Sequence, residues 1–221
     1  MNNQFCVLDL ETDWNKPDNP KCNPVQVAAI ILDYHTLEEI PNSKFNTGVC
    51  PPTIDDDNYY DEHKDTIEWH CKLNSCSWNE LREKWKSFPD EKSVWKSFEQ
   101  YMNKYNSKKR FWTAPIPVGA NIITFDLPII ERVNAKYGIK DMFYHRDAVN
   151  VQFLVWYHLH YLRDRPKDYK MDTLRSYFEI PNDDAHDALF DVRTTAAIFR
   201  RFFGWQRKVS NKMNFRVKIE V

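Results

Sequence analysis

The chain has 221 residues, with 31 Lys and Arg against 32 Asp and Glu and a formal net charge of -1. That length allows one domain with a substantial core, and a total of four glycines excludes a glycine-rich phosphate cradle of the P-loop or dinucleotide type. The near-neutral charge excludes a globally basic nucleic-acid binder, although residues 200–221 hold seven Lys or Arg against the single acid Glu220, a basic end that either follows a phosphate backbone or forms a solvated face. The start, Met1-Asn2-Asn3-Gln4, has no basic stretch leading into an apolar one, and no run approaches the length of a membrane span, so a soluble chain without a secretion signal is expected. Five cysteines (Cys6, Cys22, Cys50, Cys71, Cys76) have no framework spacing and read as free thiols in a reducing cytoplasm.

Residues 4–10 form a strand by their apolar run Phe5-Cys6-Val7-Leu8, which leads into Asp9-Leu10-Glu11-Thr12. Side chains two apart on a strand share a face, so Asp9 and Glu11 aim at one small volume. Two carboxylates held together raise each other's pKa unless a cation sits between them. The pair therefore suits hard, oxygen-preferring ions, Mg²⁺ or Mn²⁺. Residues 13–24, with Pro17, Pro20 and Pro24, read as a loop in which Trp14 is a stacking ring or a lid on the core. The near-continuous apolar stretch 25–32 is a buried strand expected antiparallel to the first, and residues 45–49 supply a third.

Residues 53–92 are polar, acidic at the start (Asp55, Asp56, Asp57, Asp61, Glu62, Asp65), with short helices expected at 65–73 and 78–86. His63, His70, Cys71 and Cys76 are zinc-type donors, but with no Cys-x-x-Cys pair they read as helix-surface and core residues, Trp69 and His70 lying near the entrance to a site. Residues 93–105 place Val94, Trp95, Phe98, Tyr101, Met102 and Tyr105 on one helical stripe, which is core. A basic turn at 106–110, followed by Phe111 and Trp112, meets a nucleic-acid strand or is simply solvated. A strand at 117–121 then gives way, at Asp126, to a helix at 127–137 closed by Gly138. Residues 144–148 read as a short strand and 149–163 as an apolar helix whose His158 and His160, two apart, share no face and are structural. A short helix at 171–178 precedes a helix at 186–202 ended by Gly204, and the alternating tail 214–221 reads as an added edge strand. His186 stands five residues before Asp191, about 500° of helical rotation, so His186 belongs on the loop before the helix and Asp191 in its first turns.

Asp9 with Glu11, then Asn121 with Phe125-Asp126, then His186 with Asp191, resemble in order and spacing the three motifs of the DEDDh (DnaQ-like) 3′-to-5′ exonuclease family, over residues 5 to about 202. Thr66-Ile67-Glu68-Trp69 is also similar to a segment that phage-encoded exonucleases of this group carry between the first two motifs. The resemblance implies an α/β, RNase H-like fold, a mixed five-stranded sheet flanked by helices, over residues 1–205, with a helical insertion at 53–110 and a basic tail at 206–221. It implies two divalent ions, Mg²⁺ or Mn²⁺, held by Asp9, Glu11, Asp126 and Asp191, with Asp9 bridging them and Asp126 acting partly through water. His186 would be the general base, its ordinary pKa near 6.5 suiting proton transfer near neutral pH. Leu10 and Thr12 would contact the terminal nucleotide and its 3′ hydroxyl, while Asn121 and Phe125 would shape the pocket. Ala120 stands where many members carry His, a departure that bears on substrate preference.

The expected activity is metal-dependent 3′-to-5′ hydrolysis of single-stranded nucleic acid, DNA before RNA, releasing 5′-mononucleotides. The alternatives are an exoribonuclease, a proofreading subunit partnered by a polymerase, and a non-catalytic RNase H-like nucleic-acid-binding module. Retention of all four motif carboxylates speaks against the last.

Overall fold

The computed structural model describes residues 3–140, 142–181 and 188–212. In chain order these form β1 (Phe5–Thr12), β2 (Pro24–Leu32), β3 (Phe45–Gly48), α1 (Tyr59–Leu73), α2 (Trp78–Lys86), α3 (Glu91–Lys104), β4 (Ile116–Gly119), α4 (Asp126–Tyr137), β5 (Val149–Asn150), α5 (Val151–Leu159), α6 (Met171–Tyr177) and α7 (Ala188–Ser210). The sheet runs β3-β2-β1-β4-β5, with β1 antiparallel to β2 and parallel to β4. β1 is thus the central strand, and helices cover both of its faces. This is the mixed five-stranded sheet flanked by helices expected of an RNase H-like fold.

Alternation along β1 sorts the core. Cys6, Leu8 and Leu10 face one side, where Trp95 and Phe98 of α3 and Ile129, Ile130 and Val133 of α4 pack. Phe5 and Val7 face the other, against Val151 and Val155 of α5 and Val192 and Phe199 of α7. Asp9 and Glu11 continue the second series, and so aim toward the side that carries α7. A third, smaller cluster of Ile54, Tyr59, Ile67, Leu81 and Trp85 joins α1 and α2 to Val25 of β2. Ser77 caps α2 with a reciprocal capping box to Glu80.

Several boundaries differ from those expected. β1 extends through Thr12, so the acidic pair lies inside the strand rather than at its exit. α1 begins at Tyr59, not 65, because Tyr59 and His63 add a buried face that the acidic composition conceals. Of the 53–110 segment, α1 and α2 share their own cluster, whereas α3 belongs to the main core. Residues 145–147 form a single 3-10 turn, and the fifth strand is only Val149–Asn150. There Asn150 caps α5, its side chain accepting from the Gln152 N–H at 3.0 Å, which draws the apolar residues after it into helix. α5 ends at Leu159 rather than 163. Gly204 does not end the last helix: α7 continues to Ser210, because Phe202 and Phe203 pack inward and the Arg207 guanidinium lies 4.8 Å from both the Tyr34 and Phe203 rings. Those contacts outweigh the roughly 1 kcal/mol that a helical glycine costs. The tail 214–221 lies outside the described residues.

Candidate active site

Asp9 and Glu11 leave β1 on one face, and Asp191, in the first turn of α7, meets them there. One ligand oxygen from each lies within 4.8 Å of the other two. Asp126 opens α4 and is buried; its carboxylate accepts the Leu10 N–H at 3.0 Å, which ties the start of α4 to β1 beside Asp9. The helix N-cap is Phe125, and Asp126 is the first helical residue. Three of the four expected carboxylates therefore form one cluster, with the fourth held behind Asp9. His186 lies outside the described residues.

The electrostatics follow from burial and like charge. Burial, reinforced by the Asp191 carboxylate, pushes Asp9 up to about 7, against the opposing pull of the Arg175 guanidinium. Burial and then the charge of Asp9 hold Asp126 well above the ordinary carboxylate range. The donor set is entirely carboxylate oxygen, which fits Mg²⁺ or Mn²⁺ better than a soft ion.

Two sets of residues around the cluster carry no motif signal. Arg175 is buried on α6 and donates to Asp191 and, at 2.7 Å, to Asp172. Nothing in the short segment 171–178 marks its arginine as the cation facing the acids. Asp13, fully buried, accepts from the Asn23 N–H at 2.7 Å, from the Asn23 amide at 2.9 Å and from the Tyr59 hydroxyl at 2.8 Å. His63 Nδ1 lies 3.2 Å from the Asp13 carbonyl oxygen, and His70 Nε2 lies 2.8 Å from that of Thr12. Each contact requires a proton on that ring nitrogen, so these histidines clamp α1 to the end of β1 and do not gather with Cys71 and Cys76 as a zinc site. Arg132 of α4 binds the loop after β1 through the carbonyls of Pro17, Asn19 and Cys22.

A cavity of about 400 Å³ opens beside Glu11, lined by Leu10, Thr12, Asn15, Trp69, His70 and Phe125 among others. It brings together three of the four residues expected to meet a nucleotide, and the exposed Trp69 and the buried His70 line it as well. Asn121 does not line it. That residue occupies the turn after β4 with φ 55°, its side chain accepting from the Thr124 hydroxyl at 2.5 Å.

No family model and no curated protein matches the chain. Solved structures do. Cell-death related nuclease 4 (CRN-4) superposes with a TM-score of 0.65 at 15% identity, over 92% of this chain and 64% of that one. Escherichia coli exonuclease I in complex with a dT13 oligonucleotide gives 0.62 at 15% identity, over 94% of this chain and 43% of that one. The zinc ion bound form of the same enzyme with single-stranded DNA gives 0.62 at 14% identity, over 96% and 46%. The fold is RNase H-like. The chain spans less than half the length of the exonuclease I chains that it matches. Among the described residues, no helix is long and apolar enough to cross a membrane, and all five cysteines are unpaired.

Proposed function

We propose that this chain is a DEDDh-type, metal-dependent 3′-to-5′ exonuclease that hydrolyses single-stranded DNA from its 3′ end and releases 5′-mononucleotides in a reducing cytoplasm. The observation that carries the reading is the meeting of Asp9, Glu11 and Asp191 within 4.8 Å, beside a cavity lined by Leu10, Thr12 and Phe125. The same fold in exonuclease I solved with a dT13 oligonucleotide supports it. Asp9, Glu11 and Asp191 would hold two divalent ions, with Asp126 supporting Asp9 from behind. Such ions, when bound, take up negative charge on the leaving oxygen and supply the nucleophile from water.

The chain's own residues do the rest. The cavity wall of Leu10, Thr12 and Phe125 orients the terminal nucleotide, and the Trp69 ring, 41% exposed at its mouth, offers a stacking face. His186, five residues before Asp191 in the chain, takes the proton released as the nucleophile attacks.

The test is release of label from 3′-labelled and 5′-labelled single-stranded DNA, with RNA of the same sequence alongside, in Mg²⁺, Mn²⁺ or chelator, for wild type and Asp9→Ala. Immediate loss of 3′ label with stepwise shortening of the 5′-labelled strand, dependent on metal and on Asp9, is expected. Failure of the wild type to cut either strand in any metal refutes the reading, and faster cleavage of RNA moves the substrate to RNA.

A further inference from the structure

On the α7 side of the sheet, away from the carboxylates, α5, α6 and α7 enclose a groove of about 640 Å³. Its walls combine the Tyr177, Phe178 and Trp205 rings with Arg200, Arg201 and Lys208, and among the described residues no carboxylate lines it. Trp205 is 54% exposed and Tyr177 is 37% exposed, so each offers ring surface to solvent while the His158 and Phe178 rings, respectively, pack against them at 5.0 Å. Among the described residues, six of the ten large exposed hydrophobic side chains lie on these helices or the turn after α5. Arg200 pairs with Glu38 at 2.7 Å, while Arg201 and Lys208 form no ion pair among the described residues. The Arg201 guanidinium is instead 5.3 Å from the centre of the Phe178 ring. At the floor, the His158 ring stacks on Phe202, and its buried Nε2 has no hydrogen-bond partner among the described residues.

Exposed aromatic surface interleaved with uncompensated cations is what an unpaired strand requires. Bases stack on the rings whatever their sequence, and phosphates meet the charges. An acidic peptide would use the cations but would leave flat rings of this number without matching partners. We propose that the α5-α6-α7 groove is a second binding site for single-stranded nucleic acid, separate from the metal cluster. Arg201 and Lys208 follow Asp191 on one helix by ten and seventeen residues, about 15 Å and about 25 Å at 1.5 Å per residue. A strand held there remains attached to the protein independently of the end being cut. The link to cutting rests on the nuclease reading above, whereas binding in the groove stands apart from it.

The experiment measures binding of a fluorescently labelled 20-nucleotide oligothymidylate to the full chain by anisotropy, in chelator, across a series of KCl concentrations. Arg201→Gln and Lys208→Gln are each expected to flatten the slope of log affinity against log salt by about 0.7, the value for one phosphate contact on a single strand. Trp205→Ala is expected to weaken binding on the order of tenfold and leave that slope unchanged. Lys104→Gln, on the opposite side of the sheet, serves as the control and should change neither. Because Trp205, Arg201 and Lys208 are exposed, each variant should keep the wild-type melting temperature, and the two charge variants test the groove without the aromatic one. Unchanged affinity and slope in all three variants would overturn the proposal. So would quenching of Trp205 by an acidic, aromatic-ended peptide but not by the oligonucleotide, which would assign the groove to a protein partner. Since no hydrolysis is needed, failure of the exonuclease reading and failure of the groove give different results: the first leaves the salt slopes altered by the variants, the second leaves metal-dependent cutting intact.

Discussion

The buried guanidinium of Arg175 on α6 donates to the carboxylate of Asp191 on α7, which makes a cation the immediate neighbour of the acidic cluster. Its second partner, Asp172, is 71% exposed and contributes little by comparison. Arg175 therefore orients Asp191 and offsets part of the repulsion among the acids before any ion binds.

Removing that charge should destabilise the metal-free chain. Arg175→Met leaves Asp191 near Asp9 without its counter-charge, and loss of one partner of a buried pair costs about 3–5 kcal/mol. Urea denaturation in chelator should show this loss, and saturating Mg²⁺ should narrow it, since bound ions then neutralise the same carboxylates. Arg175→Lys should restore little, because an ammonium cannot span Asp172 and Asp191 as a planar fork does. An unchanged denaturation midpoint for Arg175→Met in chelator would contradict this role.

Asp9 predicts an unusual pH dependence. In the metal-free fold it keeps its proton to about pH 7, while in the unfolded chain it releases it near 3.8. Between those values the folded state binds more protons, so stability falls as pH rises from about 4 to about 7 and then levels off. Asp126 acts in the same direction. Metal must displace the Asp9 proton, so Mg²⁺ affinity should rise with pH over the same window, by about tenfold per unit for one displaced proton. Chemical denaturation in chelator at several pH values tests the first expectation, and metal titration tests the second. Asp9→Asn should flatten both profiles.

At Asp126 two substitutions separate structure from chemistry. Asp126→Asn retains an oxygen to accept the Leu10 N–H, whereas Asp126→Ala leaves that buried donor unmet at a cost of about 1–3 kcal/mol. Hydrolysis should fall on the order of 10- to 100-fold in both variants, because a ligand-supporting carboxylate is lost in each. Near-wild-type stability of the alanine variant would show that the Leu10 contact carries no weight.

How much of this the sequence discloses depends on how local the determinants are. The strand period alone places Asp9 and Glu11 on one face, whereas Asp126 and Asp191 are tied to them in the sequence only by the resemblance to the exonuclease motifs. The α3 stripe and the left-handed Gly138 at the end of α4, φ 68°, are equally local. Arg175 is not, since it meets Asp191 only after α6 docks on α7. Gly204 reads as a stop, yet tertiary packing of Phe202, Phe203 and Arg207 carries α7 past it. The fifth strand lies at Val149–Asn150 rather than at 144–148, because residues 145–147 close a 3-10 turn and only Val149 and Asn150 pair with β4 before the Asn150 cap starts α5, a choice set by long-range pairing that local pattern does not reveal.

Asp13 escapes notice in the sequence for the same reason, its partners lying 10 to 50 residues away. It joins β1, the loop after it and α1, the helix that carries Trp69 and His70 to the cavity. Tyr59→Phe removes one of its donors and should cost about 1 kcal/mol. Asp13→Ala should cost about 3 kcal/mol or more, because the Asn23 N–H and the Tyr59 hydroxyl both lose their acceptor inside the protein. Neither residue belongs to the carboxylate cluster, so for hydrolysis of single-stranded DNA the Asp13 variant should raise KM by shifting α1 at the cavity mouth, with kcat closer to wild type. Denaturant unfolding and steady-state kinetics on the same preparations decide between this and a direct chemical role, for which kcat would fall while KM stayed constant.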